Sequence, residues 1–209
     1  MTTCDLYDVW SKACNHYDLP EASILSWYER IRSKLSEADS KRVYHNWSFM
    51  LAHKWPELEH AKPHIVLAAF FQYYEFDLQK NCVQENCEIF REFCRDAMVE
   101  DDDMKQIVCR LLGEQSSEPI TSDIDEDMAI LQDLDLLILA SSPDVYKNYA
   151  ELSRQEWLNA GKSNYEDLRR KTLNALLALD IYQTPEFNTK YAKAARSNIE
   201  QELKELENC

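Results

Sequence analysis

The chain has 209 residues, 45% of them hydrophobic, which is enough for one domain with a substantial core. Its formal net charge of -15 creates a field that repels the phosphates of nucleic acids and of anionic lipids, so we expect neither nucleic acid nor a membrane as a partner. Because no stretch resembles a signal peptide or reaches the ~20 apolar residues of a membrane span, we predict a cytoplasmic protein.

Glycine and cysteine usage narrow the fold class. The chain has only two glycines, Gly113 and Gly161, whereas sheet-rich folds and phosphate loops need glycine for tight turns and close backbone approach. We therefore predict an all-α protein. The seven cysteines form an odd set without a Cys-x-x-Cys pair, which predicts free thiols rather than a disulfide framework or a zinc ribbon.

In the N-terminal half, apolar residues at helical spacing predict helices at 4–17, 20–36, about 40–55, 81–99 and 104–112. Pro56 is expected to end the third of these helices, because proline does not continue a helix interior. From Pro63 the run HIVLAAFFQYYEF is apolar nearly all round, which is typical of a helix at the buried centre of a domain. The acidic run 100–103 suits the positive end of the helix dipole that follows.

In the C-terminal half, the polar stretch 114–121 predicts a loop. Asp123, Asp125 and Asp127 resemble the opening of a calcium loop. The required glycine and glutamate are replaced by Met128 and Leu134, so we interpret the aspartates as caps of a helix.

Three further helices are predicted beyond that point. Ser142 and Pro143 provide a cap and a first-turn proline, and Ser163 with Glu166 forms a capping-box pattern. A final helix is indicated by apolar residues that recur every four positions, namely Phe187, Tyr191, Ala195, Ile199 and Leu203.

Three segments of the chain match the pattern of a known family. They are RVYHN at 42–46, LDLLILASSPDVYKNYAELSRQEW and NYEDLRRKTLNALLALDIYQTPEFNTKYAKAARSNIEQELKEL. The first resembles the Arg-x-Tyr-His motif, and the other two resemble the final segments, of the predicted metal-dependent phosphohydrolases of the HD superfamily. The resemblance runs from about Arg42 to Leu206. It implies an HD-domain-like helical bundle with additional C-terminal helices. We expect a single domain over 1–209, with its core at about 40–140 and the helices of 142–206 packed on it.

The same resemblance implies a metal site built from four positions. An HD site takes a histidine from one helix, an adjacent His-Asp pair from the next and an aspartate from a later helix, and its divalent cation activates a water molecule. By the motif match the first position is His45, the last is Asp135 or Asp133, and the central pair is replaced by Gln72 and Tyr73. A neutral amide and a phenol with a pKa of about 10 are poor metal ligands.

Other positions of the family pattern are also replaced. Phe49 stands where the family has a second histidine, Cys82 stands where an acid follows the asparagine, and the stretch 109–117 lacks an expected histidine. These losses predict a catalytically impaired protein without a metal cofactor. In the rival hypothesis, Glu75 lies on the same side of a helix as Gln72 and joins Asp77 and Asp135 in a rearranged site for Mn²⁺ or Mg²⁺.

The resemblance and the charge pattern leave several residues with two interpretations each. Arg42, Tyr44, Asp133 and Arg154 are candidates for binding a ligand, and Arg169 and Arg170 add further guanidinium groups of the kind that suits phosphate. Arg154 is equally well explained as the partner of Glu156 in a structural ion pair. Tyr73, Tyr74 and Trp47 would either stack on a base or fill the space of the missing ion.

The histidines have structural explanations. His45 alone is better explained by a hydrogen bond inside the bundle than by a metal. His60 and His64 are predicted to be surface residues, because Pro63 interrupts the helix that would place them on one face.

Three hypotheses about function follow. The leading one is a pseudoenzyme that binds either a small phosphorylated ligand or a protein partner. The rival is an active metal-dependent nucleotide phosphohydrolase with a rearranged metal site. A third, a purely structural or oligomerising helical protein, would be favoured if Gln72, Tyr73 and their neighbours fill the former cleft.

Overall fold

The computed structural model describes residues 4–37, 41–115 and 124–207. Within these ranges every regular element is a helix, which confirms the predicted all-α class. The helices are α1 (Cys4–Asn15), α2 (Glu21–Ser36), α3 (Trp47–Leu58), α4 (Pro63–Phe71), α5 (Val83–Asp96), α6 (Asp102–Leu111), α7 (Ile124–Leu136), α8 (Pro143–Asn159), α9 (Tyr165–Ala178) and α10 (Pro185–Glu207). A 3-10 turn at Leu137–Ala140 joins α7 to α8.

Helix α4 lies at the centre of the bundle, as its apolar sequence predicts. All seven residues from Ile65 to Phe71 are buried, and α1, α3, α5, α6 and α7 pack around them. Trp10 of α1 lies between α4 and α5, with ring centroids 5.0 Å from Phe70 and 5.4 Å from Phe93. Truncating one such aromatic side chain to alanine typically costs about 3–5 kcal/mol, so this cluster contributes strongly to the stability of the bundle.

Helix α4 is shorter than its apolar run, because polar side chains hold the segment after Phe71. Arg42 donates to the carbonyl oxygens of Tyr73 at 2.6 Å and Tyr74 at 3.0 Å. Asn86 donates to the carbonyl oxygen of Gln72 at 2.8 Å. The chain therefore leaves the helix at Gln72, and the prediction that Gln72 and Glu75 share one helical face is wrong.

The limits of α3 also differ from the prediction. The helix begins at Trp47 rather than near residue 40, because the preceding residues are fixed by side chains of the cluster described below. It continues through Pro56 to Leu58, so the expectation that Pro56 ends it is wrong. Proline lacks an amide hydrogen, but at this position it removes a backbone hydrogen bond only in the last turn.

The C-terminal helices follow the prediction in type. Helix α8 begins at Pro143 with Ser142 at its N-cap, as predicted, although the Ser142 side chain makes no capping hydrogen bond. Phe187, Ala195 and Ile199 are buried along α10, which confirms the four-residue spacing. Helix α9 has Asn164 at its N-cap, with φ of 63°, so the predicted capping box of Ser163 with Glu166 is wrong. Helix α10 packs against the 3-10 turn and against α9.

The predictions about the cysteines, the loop after α6 and membrane-spanning helices can be compared with the described residues only. The five cysteines that the structure describes in full, Cys14, Cys82, Cys87, Cys94 and Cys109, are free thiols, as predicted. The predicted loop at 114–121 lies outside the described residues from position 116 onward, as does Asp123. Among the described helices, none combines the length and apolar character needed to cross a membrane.

Candidate functional site

The candidate site lies where three segments of the chain meet. They are the turn before α3, which carries His45, the turn after α4, which carries Gln72 and Tyr73, and the last turn of α7, which carries Asp135. The ring centroids of His45 and Tyr73 are 4.9 Å apart, and the Tyr73 hydroxyl donates to Asp135 Oδ2 at 2.9 Å. The four positions singled out by the motif match are therefore neighbours in the fold.

Asp135 is surrounded by hydrogen-bond donors. Gln72 Nε2 donates to its Oδ2 at 2.6 Å, and the ammonium of Lys54 contacts its Oδ1. The side chain of Lys54, from α3, is 4% exposed and that of Asp135 is 23% exposed. The Lys54 ammonium also lies 5.2 Å from the centroid of the Tyr73 ring. A buried ammonium is costly unless it is paired, so Lys54 requires this carboxylate.

Tyr73 and Gln72 act here as donors rather than as metal ligands. Burial raises the pKa of Tyr73 well above its ordinary value, and the Asp135 carboxylate raises it further. The phenol therefore keeps its proton at neutral pH. Gln72 gives its amide NH₂ to Asp135, which leaves its Oε1 buried without a hydrogen-bond partner among the described residues.

His45 is fixed by a buried carboxylate. Glu156 of α8 is 1% exposed, and its Oε2 lies 2.7 Å from His45 Nδ1. Its Oε1 accepts the backbone N–H groups of Tyr44 at 2.6 Å and His45 at 2.8 Å. We assign the Nδ1 proton to the imidazole, because an ionised carboxylate can only accept. Phe76 stacks on the same ring at a centroid distance of 4.1 Å.

The proposed Arg154–Glu156 ion pair is wrong, because Glu156 is engaged with His45. Arg154 instead pairs with Glu166 of α9 at 3.1 Å, and both side chains are 43% exposed. This pair bridges α8 and α9 at the surface. Exposed pairs of this kind typically contribute less than about 1 kcal/mol to stability.

The two candidate aspartates have different positions. Asp133 is fully buried and accepts from the backbone N–H groups of Gln183 at 2.7 Å and Thr184 at 2.9 Å, as well as from the Thr184 hydroxyl at 2.7 Å. It therefore fixes the entry to α10. Of the two, it is Asp135 that joins Gln72 and Tyr73.

Two other candidates for ligand binding, Arg42 and Tyr44, are buried and make contacts inside the bundle. Arg42 is 7% exposed and, besides the two contacts after α4, donates to the carbonyl oxygen of His45 at 3.1 Å. Tyr44 is buried with its ring 4.8 Å from that of Tyr149. Burial raises the pKa of Tyr44 well above its ordinary value. Both residues therefore hold the turn that carries His45.

The two remaining arginines that were considered for phosphate binding also have protein partners. Arg169 is largely buried and donates to both carboxylate oxygens of Glu202, at 2.8 and 2.9 Å. Arg170 pairs with Asp167 at 3.1 Å and donates to the carbonyl oxygen of Leu206. The contacts with Glu202 and Leu206 join α9 to α10.

The carboxylates of the rearranged metal site are paired with lysines at the surface. Glu75 contacts Lys34 at 3.0 Å, and Asp77 contacts Lys41 at 3.3 Å. Each carboxylate thus has its own cationic partner away from Lys54.

The prediction that His64 is a surface residue is wrong. Its Nε2 lies 2.7 Å from Asp127, which is fully buried and also accepts from Lys62 at 2.7 Å. This contact joins the start of α4 to the first turn of α7, where buried Asp127 needs partners. His60 is exposed, as predicted.

Sequence reasoning missed Lys54 and Glu156 as members of the site. Lys54 lies in the apolar run SFMLAHKW, and a single lysine there resembles a solvated position on a helix. Glu156 follows Arg154 closely, which made the local ion pair the simpler interpretation. Lys54 lies far from Asp135 in the sequence, and His45 lies far from Glu156. No local spacing of residues therefore predicts these contacts.

Comparisons with protein-family models, curated proteins and solved structures found no match for this chain. The resemblance to HD phosphohydrolases therefore remains a prediction.

Proposed function

We propose that this chain is a non-catalytic protein on an HD-type helical bundle, in which the ammonium of Lys54 replaces a metal ion, and that it acts by binding. The observation that carries the proposal is the contact of Lys54 with Asp135, beside Gln72 and Tyr73. Asp135 is the only carboxylate of the four motif positions. Its partner is already a cation of the protein itself.

The chemistry of the cluster supports loss of catalysis. Metal-assisted phosphate hydrolysis needs a cation with open positions for water and substrate. Lys54 supplies a single charge that is already neutralised, and Tyr73 keeps its proton and donates a hydrogen bond to Asp135. The rival hypothesis of an active enzyme has less support, because Glu75 and Asp77 pair with Lys34 and Lys41.

The charges around the cluster favour a protein partner over a small phosphorylated ligand. A phosphate site needs donors that are directed at the ligand, usually arginines or lysines. Lys54 is directed at Asp135, and Arg42 is directed at three backbone carbonyl groups. The net charge of -15 adds a long-range repulsion of anions.

A gain-of-metal experiment tests the loss of the metal site. The triple variant Lys54→Met, Gln72→His, Tyr73→Asp removes the internal cation and restores the His-Asp pair beside Asp135. We expect the purified wild type to bind no Mn²⁺ in elemental analysis after loading and desalting, and the triple variant to bind about one equivalent. The matched control adds Asp135→Asn to the triple variant and should bind none.

Two outcomes would contradict the proposal. One is a full equivalent of Mn²⁺ in the wild type that disappears in Asp135→Asn, because this would establish a working site. The other is a folded triple variant without metal, because an HD-type arrangement would then be absent. Circular dichroism distinguishes a failure to bind from a failure to fold.

The kind of ligand is tested by thermal unfolding with inorganic phosphate and with nucleotides. A ligand at 100 times its Kd stabilises the folded state by about 2.7 kcal/mol. We expect no saturable stabilisation of the wild type. A saturable rise in Tm that is lost in His45→Ala and retained in the exposed control Glu88→Gln would favour a phosphorylated ligand over a protein partner.

A further inference from the structure

A second cluster of reactive side chains lies between α5 and α6, and it does not depend on the function proposed above. Cys87 of α5, Cys109 of α6 and Glu114 after α6 bring two thiol sulfurs and a carboxylate oxygen within 4.8 Å of one another. Cys87 is 0% exposed and Cys109 is 2% exposed, whereas the side chain of Glu114 is 26% exposed. The cluster therefore has a buried sulfur end and a carboxylate end that reaches solvent.

The backbone at the C-terminal end of α6 holds Glu114 close to Cys109. The backbone N–H of Glu114 donates to the carbonyl oxygen of Cys109 at 3.0 Å, and that of Gly113 donates to Arg110 at 3.0 Å. This pair of bonds is a Schellman motif, which needs a left-handed residue at its turn. Gly113 has φ of 103°, and a Cβ there would lie 3.1 Å from Val83 Cγ2.

Two contacts hold the side chains of this cluster in place. The Cys87 thiol donates to the backbone carbonyl oxygen of Cys109 at 3.7 Å, which joins α5 to α6 at this point. Arg91 binds Glu114 Oε2 at 2.5 Å, so the carboxylate is held in place and its other oxygen can face the sulfurs.

We propose that Cys87, Cys109 and Glu114 form a binding site for one divalent cation of the zinc type, with the fourth position taken by water. Thiolates select Zn²⁺ over Mg²⁺ or Mn²⁺, and two sulfurs, one carboxylate and one water provide the four ligands of a tetrahedral ion. Two thiolates and one carboxylate carry three negative charges. The cation and Arg91 together carry three positive charges, so the occupied site is neutral.

The geometry needs only a small closing movement. With Zn–S near 2.3 Å and Zn–O near 2.1 Å, ligand atoms around one tetrahedral ion lie about 3.5–3.8 Å apart. The present atoms lie within 4.8 Å of one another, so a change of side-chain torsion of Glu114 or of the cysteines closes the set. Glu114 and Arg91 are partly exposed, and the ion would enter from their side.

The first test is titration of the reduced full-length chain with Co²⁺ without oxygen. We expect one equivalent to produce thiolate-to-cobalt charge transfer in the near ultraviolet and strong visible bands of a tetrahedral ion, both removed by Zn²⁺. Cys87→Ser and Cys109→Ser should each lower the charge-transfer absorption and weaken binding, and the double variant should lose the absorption. Glu114→Gln should keep it with a Kd raised by at least the roughly 10-fold that outer-shell changes cause. The control Cys14→Ser alters a buried cysteine of α1 and should behave as wild type.

A second test uses only the wild type, so it holds even where a variant fails to fold. Zn²⁺ should slow alkylation of Cys87 and Cys109, followed by mass spectrometry, and leave the half-buried Cys82 unchanged. The proposal is overturned if reduced wild type gives no charge transfer with Co²⁺, or if Zn²⁺ protects Cys82 as much as the paired cysteines. Because Mn²⁺ is the probe for the Asp135 cluster, either proposal can fail without the other.

Discussion

At the scale of single residues, the two partners of the Lys54–Asp135 ion pair differ in their exposure to solvent. Lys54 is almost fully buried, whereas part of Asp135 reaches solvent. Removing Asp135 therefore strands a charge that water cannot reach, and removing Lys54 leaves a carboxylate that water can partly hydrate. The asymmetry predicts unequal costs for the two single substitutions.

A double-mutant cycle checks this asymmetry. We expect Asp135→Leu to lower the free energy of unfolding by about 3–5 kcal/mol, and Lys54→Met by about 1–2 kcal/mol, because the remaining carboxylate stays partly hydrated. The double variant should be more stable than Asp135→Leu alone. Urea unfolding measures all four proteins. Equal costs for the two single variants, or additive costs in the double variant, would contradict the pairing.

His53 provides a prediction about pH. Burial lowers its pKa below the ordinary value. The unfolded chain therefore binds a proton more readily than the folded chain, so this residue's contribution to stability is complete above about pH 6.5 and is lost as the pH falls below it. We expect His53→Gln to flatten the fall in the free energy of unfolding between about pH 7.5 and pH 5.5. An NMR titration of the His53 ring with a midpoint at or above the ordinary value would refute this.

At the scale of elements, the sequence predicts helices well and their ends poorly. The burial of α4 and the apolar spacing of α10 are local patterns, and both are confirmed. The end of α4 depends on Arg42 and Asn86, which lie 14 or more residues from Gln72. The spacing of apolar residues within one helix carries no information about contacts with residues so distant in the sequence. The same limit explains why the sequence does not predict Lys54 and Glu156 as members of the site, whereas the motif match points to His45 and to either Asp133 or Asp135.

The start of α10 provides a prediction about one element. Buried Asp133 accepts from the backbone N–H groups of Gln183 and Thr184 and from the Thr184 hydroxyl, so Asp133→Ala leaves three partly buried donors without their acceptor. We expect a loss of about 2–3 kcal/mol in the free energy of unfolding. Amide hydrogen exchange at 183–188 should become faster, while exchange in α4 should change only as far as global unfolding contributes.

The exposed residue Asp144, in the first turn of α8, provides the matched control. Asp144→Ala should change the free energy of unfolding by only a few tenths of a kcal/mol, as is usual for exposed substitutions. Unchanged exchange at 183–188 in Asp133→Ala would show that this carboxylate does not fix the start of α10.

At the scale of the whole molecule, the charge imbalance opposes compaction. The chain has 38 acidic and 23 basic residues. Folding brings these charges closer together, so net repulsion destabilises the compact state. Surface pairs such as Lys80 with Glu85 work in the opposite direction, but exposed pairs contribute little. We therefore expect the repulsion to dominate the response to salt.

Thermal unfolding at increasing NaCl concentration measures that balance. At 0.1 M salt the Debye length is about 10 Å, so repulsion across the molecule is largely screened while the direct contact of buried Lys54 with Asp135 is affected much less. A gain of about 1 kcal/mol would raise Tm by roughly 2–4 °C for a chain of this size. We expect a rise of that order between about 0.02 and 0.2 M NaCl. Sucrose at equal osmolality controls for non-ionic effects, and a Tm that falls with salt would mean that attractive pairs outweigh the net repulsion.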